Sequence, residues 1–254
     1  MVKQNKYDET EFFSAYQQMT RSQKGLEGAG EWHVFKALLP DLQDKHVLDL
    51  GCGFGWHCRY AREAGASSVV GVDLSEKMLQ KAREMTEDDL AVTYIRMPIE
   101  DIAFPSDQFD VVISSLAIHY VQDFGELCSK VHACLKPGGT FLLSVEHPIF
   151  TAREEQDWII DDQGKRLYWP VDHYQMEGSR CTSFLAENVI KYHRTVSTYM
   201  NDLIGNGFTI KAVQEPMPSA EMLDEVDGMR DELRRPMFLI MKAVKANALD
   251  DRQI

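Results

Sequence analysis

The chain has 254 residues, 44% hydrophobic and 26% charged, enough for one large domain with a sizeable core. Its 27 Lys and Arg against 40 Asp and Glu leave a formal net charge of −13, which repels phosphate backbones and anionic membranes. That balance argues against nucleic acid or a membrane as partner.

The N-terminal stretch MVKQNKYDETEFF lacks the apolar core of a signal peptide, and no run approaches ~18 apolar residues. Residues 1–40 read as helical, with apolar positions at Phe12, Phe13 and Tyr16, and form a lid. Residues 46–49 (HVLD) read as a first strand and 56–64 as the helix after it. Residues 68–73 (SVVGVD) give a second strand, followed by Leu74, Met78, Ala82 and Met85 on one helical face. Residues 92–96 and 109–114 (FDVVIS) are the third and fourth strands. The segment 124–134 is a helix that LKPGG stops, and 140–145 (TFLLSV) is the fifth strand. From 146 to 192 periodicity is lost while Trp, Tyr and His accumulate, as in an inserted cap. A helix at 196–204, strands at 208–215 and 237–243, and a polar helix at about 219–235 complete the pattern. Near-continuous apolar strands joined by helices imply a mostly parallel α/β sheet covered on both faces. The expected divisions of this single domain are 1–40 lid, 41–145 cofactor half, 146–192 cap, 193–245 sheet completion and 246–254 tail.

The five cysteines, Cys52, Cys58, Cys128, Cys134 and Cys181, are odd in number and include no CxxC pair. They read as reduced and mostly buried, which favours a cytoplasmic enzyme over a disulfide framework or zinc ribbon. Two short basic clusters, 191–194 and Arg230 with Arg234 and Arg235, read as solvated faces or salt-bridge partners.

The first strand runs into VLDLGCGFGW, residues 47–56, with glycines at 51, 53 and 55. In an open α/β sheet the ligand sits at the carboxyl ends of the strands, so this turn and Asp73 should face one ligand. A carboxylate at the tip of the second strand can accept two hydrogen bonds from a ribose diol. The dinucleotide pattern GxGxxG needs glycine where Trp56 stands, and no GK[ST] completes a phosphate-binding loop. Asp49 ahead of the glycines would repel a pyrophosphate but suits a ligand bearing an ammonium or sulfonium.

VLDLGCGFG, GVDLS, FDVVISSLAIHYV and LKPGG, in that order over about 44–145, resemble the class I S-adenosylmethionine-dependent methyltransferases. The likeness is nearest to the small-molecule branch that contains the quinone-biosynthesis C-methyltransferases. EHPIF, WPVDHY and YHRTVSTY further look like a bacterial subgroup known only as methyltransferases. The resemblance implies a Rossmann-like seven-stranded sheet with a reversed last strand, and S-adenosyl-L-methionine as cofactor. It implies that Gly51, Cys52 and Gly53 pack against the methionine part, with Asp49 near its amino group. Asp73 would hold the ribose, with Leu74 and Met78 beside the adenine. Pro98 stands where many relatives carry an aspartate toward the adenine amine, so Ile99 and Glu100 take that place. Ser115 and Leu116 would reach the methionine end through their backbone, and Tyr16 of the lid would touch the cofactor.

Methyl transfer from a sulfonium is an in-line displacement that requires alignment and exclusion of water, without a metal. After the fourth strand this chain has SSLAIHY, in place of the [DN]PP[YFW] of nucleic-acid amino-methylating enzymes; it has no Pro-Cys dipeptide, and SSLAIHYV carries no carboxylate to hold the magnesium of catechol-type enzymes. The expected acceptor is therefore a small organic molecule. His119 and His147 are the candidate bases or acceptor-orienting groups, with Glu146 adjacent. His173, Tyr174, Tyr192 and His193 are candidate acceptor contacts in or beside the cap. The cap also carries Phe150, Trp158, Tyr168, Trp169 and Phe184, which read mostly as its own small core. A cofactor-binding regulatory protein and a nicotinamide-dependent oxidoreductase remain as alternatives, and oligomeric state is not legible.

Overall fold

The computed structural model describes residues 3–247. The end of the expected 246–254 tail therefore lies outside the described residues. Helices α1 (Thr10–Gln17), α2 (Thr20–Gln23) and α3 (Trp32–Leu38) precede β1 (His46–Leu50). Then come α4 (Trp56–Glu63), β2 (Ser68–Asp73), α5 (Glu76–Thr86), β3 (Val92–Arg96), β4 (Phe109–Ser115), α6 (Phe124–Cys134) and β5 (Leu135–Glu146). The cap region holds α7 (Pro148–Thr151), β6 (Ile159–Ile160), β7 (Arg166–Tyr168), β8 (Gly178–Thr182) and β9 (Val189–His193). The sheet is finished by α8 (Val196–Gly205), β10 (Phe208–Gln214), α9 (Ala220–Glu225) and β11 (Phe238–Lys245).

Seven strands form one sheet in the order β10-β11-β5-β4-β1-β2-β3. Strands β1 to β5 pair in parallel, whereas β11 runs antiparallel to both β5 and β10. The expected reversed last strand is therefore present. β1 sits between β2 and β4, so the strand order reverses there and a crevice opens at the carboxyl ends.

Period-2 alternation explains how the sheet buries both faces. Leu48, Leu50, Val112, Phe141 and Leu143 point to one side, against α6 and α8 through Phe124, Leu127, Val131, Tyr199 and Leu203. Val47, Val111, Ile113 and Leu142 point to the other, against Trp32, Phe35, Cys58, Ala61 and Leu79. α5 starts where Ser75 Oγ accepts from the Met78 N–H at 3.1 Å, and buries Met78, Leu79 and Ala82 on one face. α6 starts in the same way, with Asp123 accepting from Glu126 N–H at 2.8 Å.

Three expectations change. LKPGG ends α6 as anticipated, but it opens β5 instead of forming a loop: Leu135 pairs with Phe109 across a register shift, and Gly138 takes φ +78. The region 146–192, without sequence periodicity, folds largely as two short antiparallel hairpins, β6-β7 and β8-β9. The polar helix at 219–235 breaks into α9 and a 3-10 turn at Met229–Arg234, because Gly228 between them adopts φ +78. The basic clusters follow the salt-bridge reading: Lys191 pairs with Glu146, and Arg230, Arg234 and Arg235 pair with Asp224, Asp231 and Glu232, with Lys191, Arg194 and Arg235 buried.

Candidate active site

The turn after β1 is built on left-handed backbone at Gly51 (φ +76) and Gly53 (φ +52), which only glycine adopts without cost. A Cβ at Gly51 would overlap the Ala117 methyl, while one at Gly53 would enter open space. Asp73 at the tip of β2 spans the crevice floor: Oδ2 accepts from Gly53 N–H and Oδ1 from Ser75 N–H, each at 2.9 Å. Burial pushes its carboxyl up to about 6, against the pull of those two N–H groups. Each oxygen keeps lone-pair capacity for a further donor.

These residues line one cavity of about 680 Å³. Leu74, Met78, Ile99 and Glu100 line the end beside Asp73; Gly51, Ser115, Leu116 and Ala117 line the centre. Leu116 takes φ +53, a position uncommon for leucine, and its N–H donates to Ser144 O at 2.9 Å. Ser115 Oγ donates to Glu31 Oε1 at 3.1 Å, and Arg21 pairs with the same oxygen at 3.4 Å. The lid closes the cavity with Tyr7, Phe12, Tyr16 and Arg21. It is tied to the cofactor half by Asp8, whose Oδ1 accepts from Ser75 Oγ at 2.6 Å and Lys77 N–H at 3.1 Å. Tyr16 stands edge-on to Phe54 with ring centroids 5.6 Å apart.

The far end is walled by His119, Tyr120, Glu146, Phe150, Phe184, Lys191, Tyr192 and Phe238. Lys191 is 1% exposed; its Nζ donates to Glu146 Oε1 at 2.6 Å and Gln156 Oε1 at 3.3 Å, over the Phe184 ring. Glu146, hydrogen-bonded to the Lys191 ammonium, is held below the usual carboxylate range in spite of its burial. Burial pushes His119 down to about 4.

Of the residues anticipated from sequence, Tyr16, Gly51, Gly53, Asp73, Leu74, Met78, Ile99, Glu100, Ser115, Leu116, His119 and Tyr192 come together here. Six lie elsewhere. Asp49 points beneath the glycine turn, because alternation along β1 turns it toward α4. There Cys58 Sγ donates to its Oδ2 at 3.3 Å, its Oδ1 has no partner, and burial pushes it to about 7. Cys52 is buried with its thiol packed at Gly71. His147 caps α7 through Nδ1 (3.0 Å from Ile149 N) and meets Glu215 through Nε2 at 2.8 Å, so both ring nitrogens are engaged outside the cavity. His193 is likewise fixed, between Thr151 Oγ1 (2.8 Å) and Tyr174 O (2.9 Å). The Tyr174 hydroxyl accepts from Val196 N–H at 3.1 Å. His173 is exposed on the outer surface of the cap, bonded to Met176. Trp158, Trp169 and Phe150 form the cap's own core around the Arg235 guanidinium, 3.9 Å from the Trp169 centroid.

Sequence reasoning missed Tyr7, Arg21, Tyr120 and Gln156, and gave Lys191 no role at the site. Lys191 alone carried a signal: in VIKYH it occupies the inward phase set by Val189 and His193.

The cradle fits a nucleoside cofactor with an amino-acid tail. Gly53 leaves open space where a side chain would intrude, Asp73 presents two acceptors suited to a diol, and Arg21 and Glu31 offer opposite charges near the turn. Trp56, where a dinucleotide turn needs glycine, packs instead against Gly25 of the lid.

A mostly parallel α/β sheet whose glycine turn and strand-tip acid face one cavity defines a nucleotide-cofactor enzyme of the Rossmann-like class. Within that class the chain belongs to the class I S-adenosylmethionine-dependent methyltransferases, and S-adenosyl-L-methionine is its cofactor. A methyltransferase-domain family profile matches residues 48–143. A candidate S-adenosylmethionine-dependent methyltransferase from Listeria monocytogenes superposes with TM-score 0.83 at 52% identity, covering 88% of this chain and 100% of that one. An S-adenosylmethionine-dependent methyltransferase from Mesorhizobium loti gives 0.80 at 47% identity, covering 87% and 100%. An uncharacterized protein of Haemophilus influenzae is 37% identical over 249 residues, 94% of this chain and 96% of its own length. Sequence relatives named for protein arginine and malonyl-[acyl-carrier protein] match 50% and 41% of this chain. A phosphoethanolamine N-methyltransferase of Haemonchus contortus covers 96% of it, but at 20% identity and TM-score 0.64, which shows a shared fold alone. Among the described residues no helix is long and apolar enough to cross a membrane.

Proposed function

We propose that the chain methylates a small organic acceptor held beside the cofactor in the cavity described above. The observation that carries this reading is that segments from both ends of the chain line one cavity. Lid residues Tyr7, Phe12 and Tyr16 and cap residues Phe184, Lys191 and Tyr192 line the same 680 Å³ space as the glycine turn. That volume lies in the range of small-molecule sites, and a polymer would need the lid or cap displaced. The net charge of −13 also disfavours a nucleic-acid acceptor.

In this reading Asp73 accepts from both ribose hydroxyls. Leu74, Met78 and Ile99 flank the adenine, with Glu100 at its edge. Gly51 and Gly53 let the methionine part approach the backbone, and Arg21 balances its carboxylate. The bound sulfonium supplies the activated methyl group. The protein's part is to align the acceptor, exclude water and hold the lid shut. His119 stands at the acceptor end and orients the substrate; His147 has no such place, because both its ring nitrogens are engaged elsewhere.

The test is incubation with methyl-labelled S-adenosylmethionine and a fractionated cell extract. Label is expected in the low-mass pool. Label confined to protein or RNA contradicts the small-molecule assignment, and cofactor binding without transfer to any pool favours a regulatory role.

A further inference from the structure

We propose that His119 serves the acceptor as a hydrogen-bond donor through Nε2, and that the acceptor reacts, without a general base, as an oxyanion already ionised in solution at physiological pH: a carboxylate, or a phenol or enol acidic enough to have lost its proton before it binds. This rests on the methyl-transfer reading above.

The geometry fixes which nitrogen of His119 carries the proton. β4 leaves the sheet at Leu116, whose N–H makes the last bond to β5, at Ser144 O. Further along β5, His147 N–H is taken by Met237 O at 2.8 Å. The Glu146 N–H between them has lost its β4 partner and donates instead to His119 Nδ1, at 3.4 Å. A buried backbone N–H requires an acceptor, so the ring stands in for the missing strand. A nitrogen that accepts carries no proton; in a neutral imidazole the proton is then on Nε2. Burial holds the ring neutral at physiological pH. His119 therefore has no free lone pair with which to take a proton from a substrate.

Among the described residues nothing else at this end is poised as a base. Burial pushes the hydroxyls of Tyr7 and Tyr120 above their ordinary range. Lys191 is committed to Glu146 and Gln156, and Glu146 titrates below its usual range. An efficient base titrates near the working pH, which these groups do not.

The charges around the ring favour an anion. Of the cations near the ring, Lys191 is paired with Glu146 and Arg21 with Glu31, while Arg194 is held by the Val121 and Gln122 carbonyls. In a chain of net charge −13, Arg194 thus stands beside this end bonded to carbonyls and to no carboxylate among the described residues. An anionic oxygen there accepts the Nε2–H and needs no deprotonation. Its lone pair forms the new O–C or, through an enolate, C–C bond as the methyl–sulfur bond breaks. That bond's electrons go to sulfur, the anion and the sulfonium cancel, and for O-methylation no proton is transferred.

Two measurements on the S-adenosylhomocysteine complex test the proposal. Side-chain ¹⁵N–¹³C correlation spectra of histidine-labelled protein read the tautomer directly. His119 is expected neutral with its proton on Nε2 from about pH 5.5 to about pH 8.5. A proton on Nδ1, or protonation within that range, overturns the donor role. Calorimetric titration with benzoate and benzylamine then reads the acceptor class. Benzoate is expected to bind in the millimolar range, with benzylamine at least ~10-fold weaker. His119→Ala should weaken benzoate about 10- to 50-fold, whereas His119→Gln, which keeps an N–H in that direction, should lose less than about 5-fold. Benzylamine binding as tightly as benzoate, or no benzoate binding at ~10 mM, overturns the oxyanion assignment. S-adenosylhomocysteine binding separates the two levels: its failure in the wild-type protein would sink the methyl-transfer reading itself. The wild-type tautomer and anion preference stand as tests even if a His119 variant does not fold.

Discussion

Replacing Asp73 with asparagine isolates the cofactor end of the cavity. In the native protein Oδ2 and Oδ1 each accept one backbone N–H at 2.9 Å, from Gly53 and Ser75. An amide keeps one oxygen but turns an NH₂ toward one of those two donors. It also offers the ribose one uncharged acceptor in place of two charged ones. One charge-assisted bond is lost outright, about 1.5–3 kcal/mol, and the second drops to neutral strength, about 1 kcal/mol less. The sum, about 2.5–4 kcal/mol, predicts S-adenosylhomocysteine binding ~100- to 1,000-fold weaker. The pH dependence follows from the raised carboxyl, at about 6. Binding requires the ionised form, so native affinity rises with pH through that value and at pH 5 lies about tenfold below its plateau, with a proton released on binding in that window. Asp73→Asn should flatten this profile. Calorimetry in two buffers of different ionisation heat measures affinity and proton release together. A variant within threefold of wild type, or one that keeps the same pH profile, refutes Asp73 as the ribose anchor.

Gly51→Ala should cost about 2–4 kcal/mol in urea unfolding, since its Cβ meets the Ala117 methyl on left-handed backbone; a cost below ~1 kcal/mol would refute the steric argument. Asp49, pushed to about 7 by burial, stays protonated in the native state at acidities where the unfolded chain has ionised. Stability of the ligand-free protein should therefore fall by about 2–3 kcal/mol between pH 5 and pH 8 on this account, and Asp49→Asn should remove that fall; parallel pH curves would contradict it. Lys191→Met strands the Glu146 carboxylate and should destabilise the chain by about 3–5 kcal/mol in thermal or urea unfolding. Adding Glu146→Gln should restore most of that loss, and no restoration would mean that packing, not charge, holds the pair.

The β1–α4–β2 unit and its glycine turn were legible because their causes are local. Apolar runs fix a two-faced sheet, Gly51 and Gly53 fix left-handed backbone, and Asp73 follows at the tip of the next strand. The cap was less legible. Its hairpins are short, β6 and β7 leave Ile160, Leu167 and Tyr168 exposed, and no period marks an inward face over so few residues. His147, Tyr174 and His193 looked like acceptor contacts by residue type. Their polar atoms close backbone and side-chain partnerships made by strands far apart in sequence.

By itself the sequence determined the cofactor-binding half, because strand periodicity, glycine conformation and a strand-tip acid act over a few residues each. Only the tertiary structure decided which polar groups reach the acceptor. The orientation of Asp49 depends on strand phase, the tautomer of His119 on where β4 parts from β5, and the Lys191–Glu146 pair on β9 folding back over the end of β5. Those are long-range contacts, and no local pattern encodes them.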